Sequence, residues 1–318
     1  MSAILKTVFS AINASQFINE IYSGRSNLYV AIGRKNEWAT SAVYPGASEQ
    51  NPPVPTNSIQ VENDFRSNII ALKRVNITNI IPVVPRVNWA KDATYNLLNT
   101  SSNSPYKAED YYVNTRHNRV YKLIDKSGNA TDTDYEPDEY SLGKDYGDGY
   151  TWKFLYDVSA FLSNQGLMLD NWLPVPYSFK GDPTIDGTLT EVQKSNQGVK
   201  RSNLELEAYR VLIHVTFDDT LGDGIDEDIS FRQIGLILDP QLTTTPPPAG
   251  ETTGAPATML GDHISDGAFT AGNVLTPTGS DETGAYDIRT GQILYLENRK
   301  PIHRVSGQSE QIEIIVSF

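Results

Sequence analysis

The sequence predicts a mainly β protein: a two-layer antiparallel β-sandwich core with a second β-rich region, long loops and a few peripheral helices. Three observations carry that expectation. Apolar and polar residues alternate with period two at several places, whereas helical periodicity is clear in only two. Aromatic residues make up 10% of the chain and include 17 Tyr, a bias that suits strands and contact surfaces better than helical bundles. Strands with one apolar face each are what an antiparallel sandwich needs.

In chain order, Ser15 is expected to cap a short helix with apolar positions Phe17, Ile18, Ile21 and Tyr22, closed by Gly24. Leu28, Val30 and Ile32 then suggest a strand. After Pro52, Pro53 and Pro55, the residues Val61, Phe65, Ile69 and Leu72 fall on one stripe of a second helix. Tyr150, Trp152, Phe154, Tyr156 and Val158 share one face of a strand, opposite Thr151, Lys153 and Asp157. Tyr209, Val211, Ile213, Val215 and Phe217 repeat that pattern, and Ile312, Ile314, Val316 and Phe318 close the chain with it. Residues 229–238 read as a more fully buried strand. Two stretches read as loops. Residues 126–150 are rich in Asp, Glu, Gly and Tyr. Residues 241–290 hold 11 Thr, 7 Gly and 5 Pro, too little apolar material to offset chain entropy. The expected organisation is a core formed by 1–92 and 200–318 with N-terminal helices, an inserted β-rich and acidic-loop region at 93–199, and the long loop 241–290 within the core half.

Composition excludes several functional classes. The 318 residues carry 26 Lys+Arg against 39 Asp+Glu, a net charge of −13, so the chain repels nucleic-acid phosphates and anionic lipid unless it has a local basic patch. The sequence contains no such patch. Cysteine is absent, which removes disulfides, thiolate metal sites and cysteine nucleophiles and fits folding in a reducing cytoplasm. No apolar run approaches the length of a membrane span. Ser10, Asn13 and Ser15 interrupt the apolar start too early for a signal peptide, so export by that route is not expected.

Motifs for catalysis and cofactor binding fail one by one. Gly143-Lys144 lacks the flanking residues of a phosphate-binding loop, and Gly222-Asp223-Gly224 lacks the third glycine of a dinucleotide fingerprint. The acidic stretch 218–224 resembles a calcium loop, but counted from Asp219 the template meets Leu221 at its third position and Ser230 at its twelfth. Asp132, Asp134 and Glu136 alternate carboxylates, with Pro137 where that template needs glycine. His117, His214, His263 and His303 are scattered, without zinc-like spacing. Gly307-Gln308-Ser309 lacks the second glycine of a nucleophile elbow, and adjacent carboxylates such as Asp138 and Glu139 are too common here to mark a glycosidase. The expectation is no enzyme, no cofactor and no metal.

The C-terminus is more distinctive. Gly291-Gln292-Ile293-Leu294-Tyr295-Leu296-Glu297-Asn298-Arg299-Lys300-Pro301-Ile302 is followed by Gln308-Ser309-Glu310-Gln311-Ile312-Glu313-Ile314. This closely resembles the end of the gene-product-eight baseplate wedge subunit of T-even-type contractile-tailed phages. Three internal pieces agree in the same order: Ile32-Gly33-Arg34-Lys35-Asn36-Glu37-Trp38, Ile81-Pro82-Val83-Val84-Pro85-Arg86-Val87-Asn88-Trp89, and Asp148-Gly149-Tyr150-Thr151-Trp152-Lys153-Phe154-Leu155. Arg232-Gln233-Ile234 and Asp239-Pro240 also have counterparts. The chain departs from the family prototype in its lack of cysteine, around residues 94–145, and in the stretch 241–290.

The resemblance implies a structural virion protein of the tail baseplate that forms a homodimer, joins other baseplate wedge proteins and takes part in the rearrangement that triggers sheath contraction. It implies no nucleic-acid, membrane or cofactor partner and assembly in the host cytoplasm. The motif residues Arg34, Trp38, Arg86, Trp89, Trp152, Tyr295, Glu297, Asn298, Arg299 and Pro301 become candidates either for internal core and loop contacts or for direct contact with partners. The competing expectations are a carbohydrate- or receptor-binding β-sandwich tail protein and a glycosidase using two acidic loop residues.

Overall fold

A computed structural model describes residues 7–98, 110–127, 133–141, 143–158, 171–175, 206–217, 229–243, 258–259, 285–287, 291–304 and 310–318. The chain is mainly β, with antiparallel sheets and two α-helices among the described residues. It divides into two compact units. The first comprises Met1–Asn19, Ile80–Ile213 and Ile314–Phe318, and the second Glu20–Asn79 and His214–Glu313.

Helix α1 (Thr7–Tyr22) begins well before Ser15, which is an interior residue and not the expected cap. Its hydroxyl donates 2.7 Å back to the carbonyl of Ala11, the bond a mid-helix serine makes when it has no free amide to cap. The buried stripe is Ala11, Ala14, Ile18 and Ile21, spaced 3, 4 and 3. Strand β1 (Leu28–Gly33) is buried along its whole length. Helix α2 (Ile59–Ser67) is shorter than the periodicity predicts. Ser58 caps its start by accepting from the Val61 amide, and Asn68 ends it with its amide on the Phe65 carbonyl. Ile69 and Leu72, expected on the helix, instead belong to strand β2 (Ile69–Arg74). Two β-branched residues, Ile69 and Ile70, straight after a helix-terminating asparagine favour the strand.

The strands β3 (Ile80–Pro85), β4 (Tyr112–Asn114), β5 (Arg119–Lys126), β6 (Lys144–Asp145), β7 (Tyr150–Asp157) and β8 (Trp172–Pro174) belong to the first unit. One of its sheets has the order β4-β5-β7-β6. β7 buries Tyr150, Trp152, Phe154 and Tyr156 as the alternation predicts, and Leu155 as well. With β9 (Arg210–Phe217), β10 (Ile229–Leu238), β11 (Gln241–Thr243), β12 (Thr258–Met259), β13 (Ala285–Asp287), β14 (Gln292–Arg304) and β15 (Glu310–Ser317), three further sheets form. Their orders are β15-β9-β3-β8, β14-β10-β1-β2 and β11-β13-β12. Most of 241–290 lies outside the described residues, yet the described pieces of that stretch pair as a small antiparallel sheet. The acidic stretch 126–150 likewise includes β6, paired to β7.

Within the second unit, α2 lies on the sheet at Gly235 of β10. A Cβ at that position would stand 2.5 Å from the Phe65 ring, so glycine is what permits the close approach. Arg66 on the same helix donates 2.6 Å to the Gly291 carbonyl at the start of β14.

Candidate functional site

The motif residues form two sets, one in each unit. In the second unit the set is built on β14 and on residues 34–58, the connection between β1 and α2. β14 pairs with β10 until the register breaks: Ile302 faces Phe231 and Asn298 faces Gln233. Arg299, Lys300 and Pro301 therefore all oppose the single residue Arg232. Such a bulge accommodates a proline, which has no amide for the ladder, and it releases the Arg299 carbonyl from strand pairing. That carbonyl accepts the indole Nε1–H of Trp38 at 3.1 Å.

Trp38 is fully buried and is held at every polar atom. Its backbone amide donates 2.7 Å to Glu49 Oε1, Tyr44 meets its ring edge-on at 5.6 Å, and the Arg34 guanidinium lies 4.8 Å above it. Arg34, the first residue of that connection, takes the left-handed conformation, φ 58°. There it pairs with Asp64 of α2 at 3.4 Å, with the two side chains only 4% and 11% exposed. Burial raises the Asp64 carboxyl above its usual range, and Arg34 and Asn68 act against that rise. Glu49 also takes Arg232 Nε at 2.8 Å, so one carboxylate joins Trp38 to β10. Arg232 donates further to the Lys35 carbonyl.

On β14 alternate residues part to opposite faces. Leu296 packs with the core on one side, and Asn298 on that side accepts from Gln233 at 3.0 Å while donating to the Pro53 carbonyl at 3.0 Å. On the other face, Glu297 accepts from the Tyr295 hydroxyl at 2.8 Å and from Arg299 at 2.7 Å. Burial and the Glu297 carboxylate push the Tyr295 phenol up to about 12. Pro301 sits half-buried within the bulge.

In the first unit the arrangement differs. Trp152 is buried among Tyr95, Tyr121, Tyr150 and Phe154, with Trp89 packed against that cluster. Tyr95 meets the Trp152 ring edge-on at 5.4 Å, while the indole Nε1 atoms of Trp89 and Trp152 have no hydrogen-bond partner among the described residues. Trp89 is fixed through its backbone, whose amide donates 2.8 Å to the Asn114 carbonyl. Arg86 donates 3.1 Å to Asn88 Oδ1 and, from its amide, 2.8 Å to the Asn171 carbonyl.

Spacing in the sequence did not reveal Asp64, Glu49 or the Pro53 carbonyl as partners. The two carboxylates are among 39 acidic residues, and nothing local distinguishes them. Of the alternating carboxylates, Glu136 is taken up by Arg116, from its amide at 2.6 Å and its Nε at 3.1 Å. The stretch 218–224 and His263 lie outside the described residues. Among the described residues no group of three or more His, Asp or Glu could hold a metal ion. His303 meets Ser230 Oγ at 2.7 Å, and His214 meets the Thr78 carbonyl at 3.0 Å. No helix of the described residues is long and apolar enough to cross a membrane.

No protein-family model matches the chain. A search of curated proteins finds the baseplate wedge protein gp8 of Enterobacteria phage T4, 24% identical over 368 aligned positions that span 99% of this chain and 97% of that protein. A likeness running from end to end, and not confined to the C-terminal run, bears out the resemblance of this chain to the gene-product-eight baseplate wedge subunits.

Proposed function

We propose that the chain is a structural component of a contractile phage tail baseplate, a wedge subunit that contributes rigid surfaces and no catalysis. The observation that carries this reading is the collinear likeness to a baseplate wedge protein across 99% of the chain. The side-chain chemistry supports it. Arg34, Trp38, Glu297, Asn298 and Arg299, the polar residues a site would need, are engaged within the chain: Arg34, Trp38 and Asn298 tie separate segments together, and the Glu297 and Arg299 side chains pair along β14. Rigid ties suit a part that transmits force through contacts with its neighbours.

In this reading the chain is a homodimer located in the virion tail baseplate and assembled in the host cytoplasm with other wedge proteins. A two-fold pair uses the same patch on both copies and leaves other surfaces for those neighbours. A stable dimer buries at least about 1,200 Å² in total. Light scattering on the pure protein, followed by mixing with the other wedge proteins of the same phage, tests both parts. The expected result is twice the chain mass alone and a larger defined complex on mixing. A monomer at micromolar concentration defeats the dimer. A chain that joins none of those proteins and instead binds a glycan saturably favours the carbohydrate-binding alternative.

A further inference from the structure

Between its two ends, the connection from β1 to α2 comprises residues 35–57, with the three-residue turn Trp38–Thr40 as its only regular structure. Connections longer than about 12–15 residues without secondary structure are uncommon in compact domains, and those that occur generally carry a function. Among the described residues, every backbone–backbone hydrogen bond of this segment closes locally. The Thr40 amide donates to Glu37, Ser41 to Trp38, Ala47 to Tyr44 and Asn51 to Ser48, at 3.0–3.2 Å. None reaches a strand.

The segment is fastened to the sheet through side chains instead. Arg232 of β10 donates 2.8 Å to Glu49 and also donates to the Lys35 carbonyl. Asn298 of β14 donates 3.0 Å to the Pro53 carbonyl, and Trp38 donates 3.1 Å to the Arg299 carbonyl. Trp38 and Tyr44, with Val43 and Ala47, pack over Val61 of α2 and Leu296 of β14. The ties depend on one another, because the single Glu49 carboxylate holds both the Trp38 amide and Arg232. The two ends are anchored separately, on α2. The Arg34 amide donates 2.8 Å to the carbonyl of Asn68, which ends that helix, and Ser58 caps its start. Release of the β10 and β14 ties therefore leaves both anchors and every ladder of the sheet β14-β10-β1-β2 in place.

We infer that residues 35–57 are a strap that opens as one cooperative unit while the sheet beneath stays folded, uncovering Val61 and Leu296. Segments held by few contacts open at lower cost than ladder-bonded strands, and linked ties are lost together. Full burial of Trp38 keeps the closed form dominant. Opening is a property of the isolated chain and goes beyond the assembly role proposed above.

The absence of cysteine lets a single introduced thiol report each opening. In the full chain, Val61→Cys reports release of the strap, and Val30→Cys, at a fully buried site in β1, reports opening of the sheet. Each is treated with a thiol reagent in native buffer, alone and combined with Glu49→Gln or Ile237→Val. The Val61→Cys thiol is expected to react at least about tenfold faster than the Val30→Cys thiol, yet far slower than in urea-unfolded chain. Glu49→Gln removes the charge facing Arg232 and should speed reaction at position 61 about tenfold. Ile237→Val weakens the sheet in both strap states, so it should speed reaction at position 30 several-fold and leave position 61 unchanged. Equal rates at the two positions, or acceleration of both by Ile237→Val, overturn the strap, because release then requires the sheet to open. Indifference of position 61 to Glu49→Gln, or its reaction at the unfolded rate, overturns it as well. Where a cysteine variant does not fold, hydrogen exchange on the wild-type chain decides. The amides of Trp38, Ser41, Tyr44 and Ala47 should share one opening and exchange before those of β1 and β10. Exchange one by one, or only together with the ladders, overturns the strap.

Discussion

Trp152 and Trp38 are almost equally buried, 1% and 0% exposed, yet they are held by opposite means. Trp152, in the first unit, is held by packing, with rings on several sides and an indole N–H that meets no acceptor among the described residues. Trp38, in the second, is held by direction: Nε1–H on a carbonyl far along the chain, amide on Glu49, cation above the ring. Packing tolerates exchange of one apolar shape for another, whereas a directional tie fails when either partner goes. The two units should therefore respond differently to the same kind of substitution.

The largest expected difference concerns ion pairs. Glu49 anchors Arg232, whose side chain is 7% exposed, and the Trp38 amide with it. Glu49→Ala leaves a buried guanidinium without its carboxylate and should cost about 3–5 kcal/mol in urea denaturation. In the first unit Glu139 pairs with Lys144 at the surface, with side chains 56% and 37% exposed, and Glu139→Ala should cost under about 1 kcal/mol. Equal losses would mean the buried pair contributes no more than the surface one.

Close approach of helix to sheet is the next contrast. Gly235→Ala places a Cβ 2.5 Å from the Phe65 ring and 3.1 Å from the Tyr295 carbonyl. Overpacking of that kind costs about 1–3 kcal/mol. Phe65→Leu is destabilising alone, but in the double variant it should recover part of the Gly235→Ala loss, because the smaller side chain vacates the space. Strict additivity would show that the carbonyl contact, and not the ring, sets the cost.

The two tryptophans give a smaller and more pointed comparison. Trp38→Phe and Trp152→Phe remove the same atoms from equally buried sites, but only the first strands an acceptor, the Arg299 carbonyl in its bulge. Trp38→Phe should exceed Trp152→Phe by about 1–2 kcal/mol. A larger loss at Trp152 would reverse the assignment of packing to one unit and ties to the other.

What could be read from the sequence follows the same division. The buried faces of β7 and β9 were legible because strand geometry writes itself into adjacent positions, every second residue facing the core. The long stripe of α1 was less so, since it runs through Ala11 and Ala14, residues too small to stand out as a core. Ile69 and Leu72 kept helical spacing with Val61 and Phe65 by coincidence, and the decisive signal was Asn68, whose side chain closes α2 on the Asp64 carbonyl at 2.6 Å. The ties of the second unit were not legible. Arg34 and Trp38 stood out as a motif, but their partners Asp64 and Arg299 are separated from them by 30 and 261 residues, and no local pattern encodes such a pairing.

The smallest effect expected is a pH dependence of one tie. His214 of β9 is half-buried and meets the Thr78 carbonyl at 3.0 Å, so its Nε2 carries the proton and donates. Burial lowers its pKa below the ordinary value, opposed by the Thr78 hydrogen bond and the Glu313 carboxylate. The folded state therefore disfavours a second proton, while the unfolded chain accepts one near pH 6.5, the ordinary histidine value. More protons bound in the unfolded state mean that stability rises with pH through this window. The contribution is present above about pH 6.5 and is lost as pH falls through the folded-state value. The wild-type melting temperature should accordingly drop between pH 7.5 and pH 5, above the range in which unperturbed carboxylates titrate. His214→Gln, which retains a donor for Thr78, should flatten that drop. Glu313→Gln should steepen it, because the carboxylate no longer favours the charged ring. Solvent exposure keeps both changes small. If all three proteins lose the same number of degrees, the acid sensitivity originates elsewhere and this tie is indifferent to charge.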